Sequence, residues 1–320
     1  MNLHIDPQAL NDAITATSQA LGIRDLYVEK DYWVTLALLR LANSDLSEEI
    51  VFKGGTSLSK AHKIIERFSE DLDLALIPEK GRSNNQTKQK LRSITNTAGQ
   101  DLTEDTENSR KYSKSRKIYF EYDKQIDNTN WGQISPNLLV EANAFATPFP
   151  MSKVQISSYI YEYLHGTDNA ALIEEFELEP FDFNVLHVER TLAEKIMALV
   201  KASTREDHIG SLGEKIRHIY DLHRLITVGE MAEFISGDEF KPMIEAVKED
   251  DGASPVGDQS WLDNPCYQCS LFSTPDEIFP ELRPIYEGDF SGMLFGELPP
   301  MEDVQVSLEL IGARLEECDC

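Results

Sequence analysis

Residues 52–74 read FKGGTSLSKAHKIIERFSEDLDL, and aspartate alternates with leucine over the last four positions. Side chains two residues apart in a β-strand share a face, so Asp71 and Asp73 lie together, opposite a row of leucines. Two carboxylates held close and partly desolvated need a proton, a paired cation or a bound metal. Mg²⁺ fits this need, because it takes one or two carboxylates together with substrate phosphates. The alternative is an edge strand whose aspartates are solvated.

Two glycines precede this strand, at the end of the predicted strand 48–55 and before an amphipathic helix predicted over 57–68. Glycine lets the backbone approach a ligand closely, and the first turn of a helix favours anions. The predicted nucleotide-binding residues are Gly54, Gly55, Thr56, Ser57 and Lys60. A plain turn with a helix cap is the alternative. Together with the carboxylate pair, the turn predicts a nucleoside triphosphate bound with Mg²⁺.

A third carboxylate is expected from a neighbouring strand, and Glu141 interrupts the apolar run NLLVEANAF at 137–145. In a two-metal site, Asp71 and Asp73 contact both ions, and Glu141 contacts the ion that activates the incoming hydroxyl. The alternative for Glu141 is an outward residue on a half-exposed strand.

The composition is that of a soluble globular chain, since 41% of its 320 residues are hydrophobic and no run is long enough to span a membrane. The N-terminus shows no secretory signal, which predicts a cytoplasmic location. The net charge of −26 disfavours attraction to nucleic acid. Residues 82–117 differ, with nine Lys/Arg and four Asp/Glu. This segment is either a solvated face or a contact surface for a polyanion.

The order of patterns predicts an α+β fold, with a mixed sheet of four or five strands and a mostly helical C-terminal part. The predicted domains are an N-terminal helical segment, a mixed α/β core and a helical domain, over 1–45, 46–180 and 181–320. Helices are predicted over 7–43, 86–98, 188–203, 211–226 and 304–317, and strands over 69–78, 117–123 and 137–145. Residues 154–164 predict a further strand or a lead into a helix.

Four cysteines occur near the C-terminus, as CYQC at 266–269 and CDC at 318–320. Cys266, Cys269, Cys318 and Cys320 could hold a structural zinc ion. Ordinary free thiols are the alternative, because a terminal CxC is a poor half-site.

Stretches along nearly the whole chain resemble the AbiEii/AbiGii toxin family, a branch of the nucleotidyltransferase superfamily. The segment at 52–74 is the most specific of them. The others are VEKDYWVTLALL (28–39), VEANAF (140–145), ERTLAEKIMAL (189–199), RHIYDLHRL (217–225) and IYEGDFSGMLFGELPPMEDV (285–304). The resemblance implies a nucleotidyltransferase core over 46–180.

By this resemblance, Ser57 contacts the triphosphate, and Asp71 and Asp73 hold Mg²⁺. It also implies that Lys195 binds phosphate or acts in catalysis and that Asp221 is an essential acid. The helical period independently places Lys195 on the core-facing stripe of its helix, where a lysine must reach solvent or meet an anion.

Two features of the last motif leave the role of Asp221 open. A simple helix salt bridge to Arg217 is the alternative for this aspartate. The family commonly has an Arg-Asp pair where this chain has Arg217-His218. If that aspartate is the functional one, His218 leaves the enzyme altered or inactive.

The predicted function is a Mg²⁺-dependent nucleotidyltransferase that moves a nucleoside monophosphate from an NTP to an acceptor hydroxyl. The resemblance implies a toxin of a toxin–antitoxin or phage-defence system, with a cognate antitoxin and with RNA, such as the 3′ end of tRNA, as acceptor. One alternative is a nucleotide-binding or partner-binding module with reduced catalysis. Another is a nucleotidyltransferase that is not a toxin and acts on a small molecule or a protein.

Overall fold

The computed structural model describes residues 1–126, 135–252 and 259–320. The chain divides into two compact units. Unit 1 consists of Met1–Ala61 and Phe68–Leu186, and unit 2 consists of His62–Arg67 and His187–Cys320. Among the described residues, no helix combines the length and the apolar character that a membrane span requires.

Unit 1 contains a mixed sheet of seven strands, in the spatial order β3-β4-β5-β2-β1-β7-β6. The strands are β1 (Ile50–Lys53), β2 (Leu72–Leu76), β3 (Thr103–Lys111), β4 (Ser115–Glu121), β5 (Leu138–Asn143), β6 (Met151–Ile156) and β7 (Phe181–Leu186). The pairs β2–β5 and β1–β7 are parallel, and the other neighbouring pairs are antiparallel.

The described residues of the same unit also form six α-helices. They are α1 (Pro7–Leu21), α2 (Asp25–Ala42), α3 (Gly54–Lys60), α4 (Asn84–Ala98), α5 (Tyr159–His165) and α6 (Ala171–Glu175). The predicted helical stretch 7–43 is thus two helices, because Gly22 adopts a left-handed conformation that ends α1. The mixed sheet with its flanking helices confirms the predicted α+β class.

Strand β2 lies at the centre of the sheet, between β5 and β1. Leu72, Leu74 and Leu76 are each at most 1% exposed, whereas Asp73 is half-buried. The predicted alternation is therefore confirmed, and the alternative of a solvated edge strand is wrong. Strand β2 starts at Leu72, so Asp71 directly precedes it.

The helix predicted over 57–68 is wrong in its second half, because α3 begins at Gly54 and ends at Lys60. Lys63 has a left-handed φ of 56°, which interrupts a helix. The residues that follow are not helical. Arg67 forms an isolated antiparallel bridge with Leu294, and the Glu66 carbonyl accepts a hydrogen bond from the Phe295 N–H within unit 2. Of the predicted apolar stripe, Leu58 lies in α3, whereas Ile65 and Phe68 are buried outside any helix. The helical spacing therefore reflects a helix only in its first half.

The sheet has more strands than the four or five predicted. Strand β3 reads TEDTENSRK and has no hydrophobic alternation, because both of its faces are largely exposed. It is held by antiparallel pairing with β4. Residues 154–164 contain both predicted possibilities, the end of β6 and the start of α5.

Unit 2 is helical. Its helices are α7 (Val188–Ser203), α8 (His208–Gly213), α9 (Ile216–Thr227), α10 (Ala232–Ser236), α11 (Phe240–Gly252), α12 (Ser270–Ser273), α13 (Pro275–Ile285) and α14 (Met301–Glu317). Helix α7 matches its prediction at both ends. The four cysteines of this unit are free thiols, and burial raises the pKa of Cys266 and of Cys269.

Candidate active site

Four charged side chains form a row across four neighbouring strands of unit 1. Asp73 on β2 lies between Lys53 on β1 and Glu141 on β5. Glu141 is in turn paired in register with Lys117 on β4. Residues directly opposite each other on neighbouring strands share a face of the sheet. The row, which we call the charged row, therefore places two adjacent carboxylates between two ammonium groups, and all four residues are half-buried.

The carboxylate of Asp73 packs against the first residue of α3. Gly54 has a left-handed φ of 79°, and a Cβ atom at this position would lie 2.2 Å from Asp73 Oδ2. Only glycine satisfies both the backbone conformation and this close approach. The predicted anion-binding turn and the predicted carboxylate strand thus meet at Gly54 and Asp73. Asp71, directly before β2, is also half-buried.

The third predicted carboxylate is held by a cation. The Lys117 ammonium lies 2.6 Å from Glu141 Oε1. Burial alone would lower the pKa of Lys117, but the hydrogen bond and charge of Glu141 raise it above its ordinary value. Glu141 is therefore next to Asp73, as a third carboxylate must be, but it is paired with Lys117.

The donor chemistry of the charged row fits a divalent cation such as Mg²⁺, which prefers carboxylate oxygens. Asp71 and Asp73 would hold it, with Glu141 as the nearest further donor. Within the described ranges, no three His, Cys, Asp or Glu side chains are already arranged to hold a metal ion. For Glu141 to join a metal site, Lys117 must release it and the carboxylates must draw together.

The side chains of α3 bond within unit 1. Ser57 Oγ donates to the Gly54 carbonyl at 2.8 Å, and Thr56 Oγ1 donates to Ser69 Oγ at 2.9 Å. Ser57 and Thr56 are buried, whereas the backbone of Gly54 and Gly55 is half-buried. The accessible polar groups of this turn are therefore those of its backbone. The Thr56 and Ser57 hydroxyls stabilise the turn through their hydrogen bonds.

Lys60, the fifth predicted nucleotide-binding residue, is buried at the end of α3. Its ammonium lies 2.5 Å from Asp31 Oδ1 and donates to the Ser157 carbonyl at 2.8 Å. This arrangement anchors the end of α3 to two other parts of unit 1. The predicted role of Lys60 in nucleotide binding stays a prediction.

In unit 2, Asp221 on α9 is fully buried between two cations. It accepts two hydrogen bonds from the Arg67 guanidinium, both at 2.7 Å, and one from Lys195 Nζ at 2.6 Å. Burial alone would raise its pKa, but the charges of Arg67 and Lys195 hold the pKa of Asp221 well below its usual range. The structure therefore brings the two predicted residues Lys195 and Asp221 together. The alternative of a salt bridge to Arg217 is wrong.

His218 lies one turn before Asp221 on α9. Its Nδ1 atom is buried and has no hydrogen-bond partner among the residues that the structure describes. Burial, and then the nearby Lys195 ammonium, lower the pKa of His218 well below its ordinary value. The ring is therefore neutral at pH 7 and cannot supply the negative charge of an aspartate.

The basic segment 82–117 is partly neutralised within unit 1. Four of its nine cations form ion pairs with carboxylates, namely Arg82, Lys90, Lys111 and Lys117. Arg116 is buried. The segment therefore offers fewer charges to a polyanion than its sequence implies.

The sequence did not predict three cations beside the candidate site residues. Lys53 and Lys117 belong to the charged row, and Arg67 pairs with Asp221. Lys53 could have been found, because it directly precedes the two glycines at the end of a strand. Lys117 can be recognised as the partner of Glu141 only when the register of β4 against β5 is known. Arg67 lies in the segment predicted as a helix, and its pairing with Asp221 spans 154 positions of sequence.

The mixed sheet, the carboxylate pair at one strand and the glycine-led helix packed against it are the features that the sequence predicts for a nucleotidyltransferase. The family model described as nucleotidyl transferase AbiEii toxin, type IV toxin–antitoxin system, matches residues 36–310. The chain therefore belongs to this family of nucleotidyltransferase toxins.

A solved structure of similar fold is that of MenT4, a nucleotidyltransferase toxin from Mycobacterium tuberculosis. It is 17% identical to this chain, with a TM-score of 0.51, and the match covers 95% of this chain and 89% of MenT4. At this identity the match shows the fold alone. No curated protein sequence matches the chain.

Proposed function

We propose that the chain is the toxin of a type IV toxin–antitoxin system that transfers a nucleoside monophosphate from an NTP to a hydroxyl of RNA, with Mg²⁺ bound at Asp71 and Asp73. The observation that carries the proposal is the contact of Asp73 with Gly54. This contact joins a carboxylate suited to Mg²⁺ to a backbone turn suited to phosphate. The family membership supplies the reaction class.

In the proposed reaction, the acceptor hydroxyl oxygen attacks the α-phosphorus of the NTP. A new phosphodiester bond forms, and the bond from the α-phosphorus to the oxygen that bridges it to the β-phosphorus breaks. Pyrophosphate leaves, and the proton of the acceptor hydroxyl passes to solvent water. Bound Mg²⁺ would neutralise phosphate charge and favour deprotonation of the hydroxyl. The turn at Gly54 and Gly55 would bind the triphosphate through its N–H groups. The family resemblance gives Lys195 a separate role in phosphate binding or catalysis, and within unit 2 Asp221 accepts a hydrogen bond from its ammonium.

The test is transfer of label from each of the four α-labelled NTPs, with RNA and protein as separate acceptors. The wild type is expected to label RNA. Asp71→Asn and Asp73→Asn are each expected to reduce labelling by about 10³-fold, because loss of metal binding removes several kcal/mol of charge stabilisation.

Asp182→Asn is the matched control, since Asp182 is an exposed aspartate on β7 of the same sheet. It is expected to label as the wild type does. Labelling that survives in the double variant Asp71→Asn with Asp73→Asn would overturn the assigned site. Labelling of protein alone would contradict RNA as the acceptor, but it would still support nucleotidyl transfer as the reaction.

The role as a toxin has a separate test in cells. Expression of the wild type is expected to arrest growth, and the Asp73→Asn variant is expected not to. Relief of the arrest by a neighbouring gene product would identify the antitoxin. Transfer activity without growth arrest would favour a nucleotidyltransferase that is not a toxin.

A second candidate is a nucleotide-binding module with reduced catalysis, and the neutral His218 beside Lys195 is the observation that favours it. NTP binding without any labelled product would support this candidate. His218→Asp is then expected to gain activity, because it restores the Arg-Asp pair that the family commonly has.

A further inference from the structure

Three consecutive charged residues are buried in the middle of α2. Glu29 and Lys30 are fully buried, and Asp31 is 7% exposed. Burial raises the pKa of Glu29 and Asp31 and lowers the pKa of Lys30, so the surroundings disfavour all three charges.

Lys30 contacts the two chain segments that lead into the carboxylate strands. Its ammonium lies 3.1 Å from Glu70 Oε2 and donates to the Asn137 carbonyl at 2.5 Å. Glu70 is the residue directly before Asp71, and Asn137 directly precedes β5, which carries Glu141. One buried ammonium thus connects the starting points of both acidic strands.

Asp31 contacts the other half of the site. Asp31 Oδ1 lies 2.5 Å from Lys60 Nζ, and Asp31 Oδ2 accepts a hydrogen bond from the Tyr159 N–H at 2.8 Å. Lys60 is the last residue of α3, whose first residue is Gly54. Neighbouring residues on one helix therefore hold the end of the phosphate-binding helix and the start of the carboxylate strand.

These ion pairs are poor candidates for a purely stabilising role. The desolvation of a buried ion pair commonly cancels its attraction, and well-packed apolar residues often replace such a pair without loss of stability. Directional contacts can instead fix where two segments lie relative to each other, as the outer partners of metal ligands do.

We propose that Lys30 and Asp31 are positioning residues for nucleotidyl transfer, with Lys30 and Glu70 setting the metal-binding carboxylates and Asp31 and Lys60 setting the phosphate-binding turn. This inference rests on the proposed function. In this inference, helix α2 positions the two halves of the site separately, the metal-binding carboxylates through Lys30 and the phosphate-binding turn through Asp31.

The experiment compares two pairs of variants, Lys30→Met and Glu70→Gln against Asp31→Asn and Lys60→Met. Mn²⁺ affinity is measured by electron paramagnetic resonance without nucleotide, and KM for NTP is measured at saturating Mn²⁺. Lys30→Met and Glu70→Gln are expected to weaken Mn²⁺ binding by about tenfold with a smaller change in KM. Asp31→Asn and Lys60→Met are expected to raise KM by about tenfold with a smaller change in Mn²⁺ affinity.

Two controls separate positioning from a loss of folding. Lys30→Arg keeps the charge and is expected to restore most of the Mn²⁺ affinity. Arg190→Met breaks a buried ion pair with Asp250 in unit 2, where the Arg190 and Asp250 side chains lie 2.5 Å apart. It is expected to lower the Tm while leaving Mn²⁺ affinity and KM unchanged.

The inference is supported if Lys30→Met and Glu70→Gln mainly weaken Mn²⁺ binding while Asp31→Asn and Lys60→Met mainly raise KM for NTP. If both pairs weaken Mn²⁺ and NTP binding alike, in proportion to their loss in Tm, the residues are structural and the inference is overturned. Unchanged affinities in all four variants overturn it as well. A wild type that binds neither Mn²⁺ nor NTP contradicts the proposed function itself, which distinguishes the two failures.

Discussion

At the scale of single residues, Gly54 links the two halves of the proposed site. Its left-handed φ disfavours a side chain, and the closeness of Asp73 Oδ2 leaves no room for one. The sequence indicates that GGTS approaches a ligand and that DLDL carries carboxylates. It cannot show that one of these carboxylates fills the space beside the glycine, because this contact depends on how the two segments pack.

Gly54→Ala is expected to abolish most nucleotidyl transfer, because the new methyl group must displace the Asp73 carboxylate. A misplacement of about 1 Å costs about 10²-fold in rate. The measurement is the initial rate of label transfer at saturating NTP, together with Tm.

Gly22→Ala is the matched control for this variant. Gly22 also has a left-handed φ, of 68°, but no atom lies near the position of its Cβ. It is expected to lose about 1–2 kcal/mol of unfolding free energy from backbone strain and to retain the wild-type rate. If Gly54→Ala and Gly22→Ala have equal rates, the contact between Gly54 and Asp73 has no role in transfer.

At the scale of elements, strands with alternating patterns and helices with clear periods are predictable. Strand β2 follows its pattern because its leucine face is buried, whereas Asp73 on the other face is half-buried. Helix α7 is buried on most sides, and its half-buried positions Glu194, Ala198 and Lys201 recur at helical spacing. Strand β3 is held by pairing alone and carries no pattern. The register between strands is also absent from the sequence, so the charged row and its Lys117 could not be predicted.

Lys117→Met is expected to tighten Mn²⁺ binding by about fivefold. The Lys117 ammonium competes with a metal ion for Glu141, and a half-exposed ion pair is worth about 1 kcal/mol. The measurement is Mn²⁺ affinity by electron paramagnetic resonance without nucleotide.

Lys153→Met removes an equal charge from the same sheet, where Lys153 pairs with Glu48. It is expected to change Mn²⁺ affinity far less, because Glu48 is not part of the charged row. Equal effects of the two substitutions would show that net charge alone sets metal affinity and that Glu141 is not a metal ligand.

At the scale of the whole molecule, the charge of −26 opposes RNA binding, and internal ion pairs neutralise part of the basic segment. Five cations of that segment have no ion-pair partner in the described part of the chain. Arg116 is buried and Arg110 donates to the Glu107 and Ser109 carbonyls, which leaves Lys88, Arg92 and Lys114. For the proposed RNA acceptor, we therefore expect few phosphate contacts and a larger contribution from the shape and hydroxyl groups of the RNA end.

Transfer to RNA is accordingly expected to depend only weakly on salt. For single-stranded RNA and three phosphate contacts, the slope of log affinity against log salt is about −2. The measurement is labelling at limiting RNA over a series of NaCl concentrations. Replacing Lys88, Arg92 and Lys114 together by Ala is expected to lower this labelling while leaving KM for NTP unchanged.

The control replaces Lys153, Arg205 and Lys248 together by Ala, which removes the same net charge elsewhere in the chain. If both triple variants lose RNA labelling equally, the effect comes from long-range charge and not from contacts in the basic segment. A slope steeper than about −5 would require more phosphate contacts than these three cations can provide. In that case the RNA surface must include cations that are now paired, such as Arg82 and Lys90, and their carboxylate partners must release them when RNA binds.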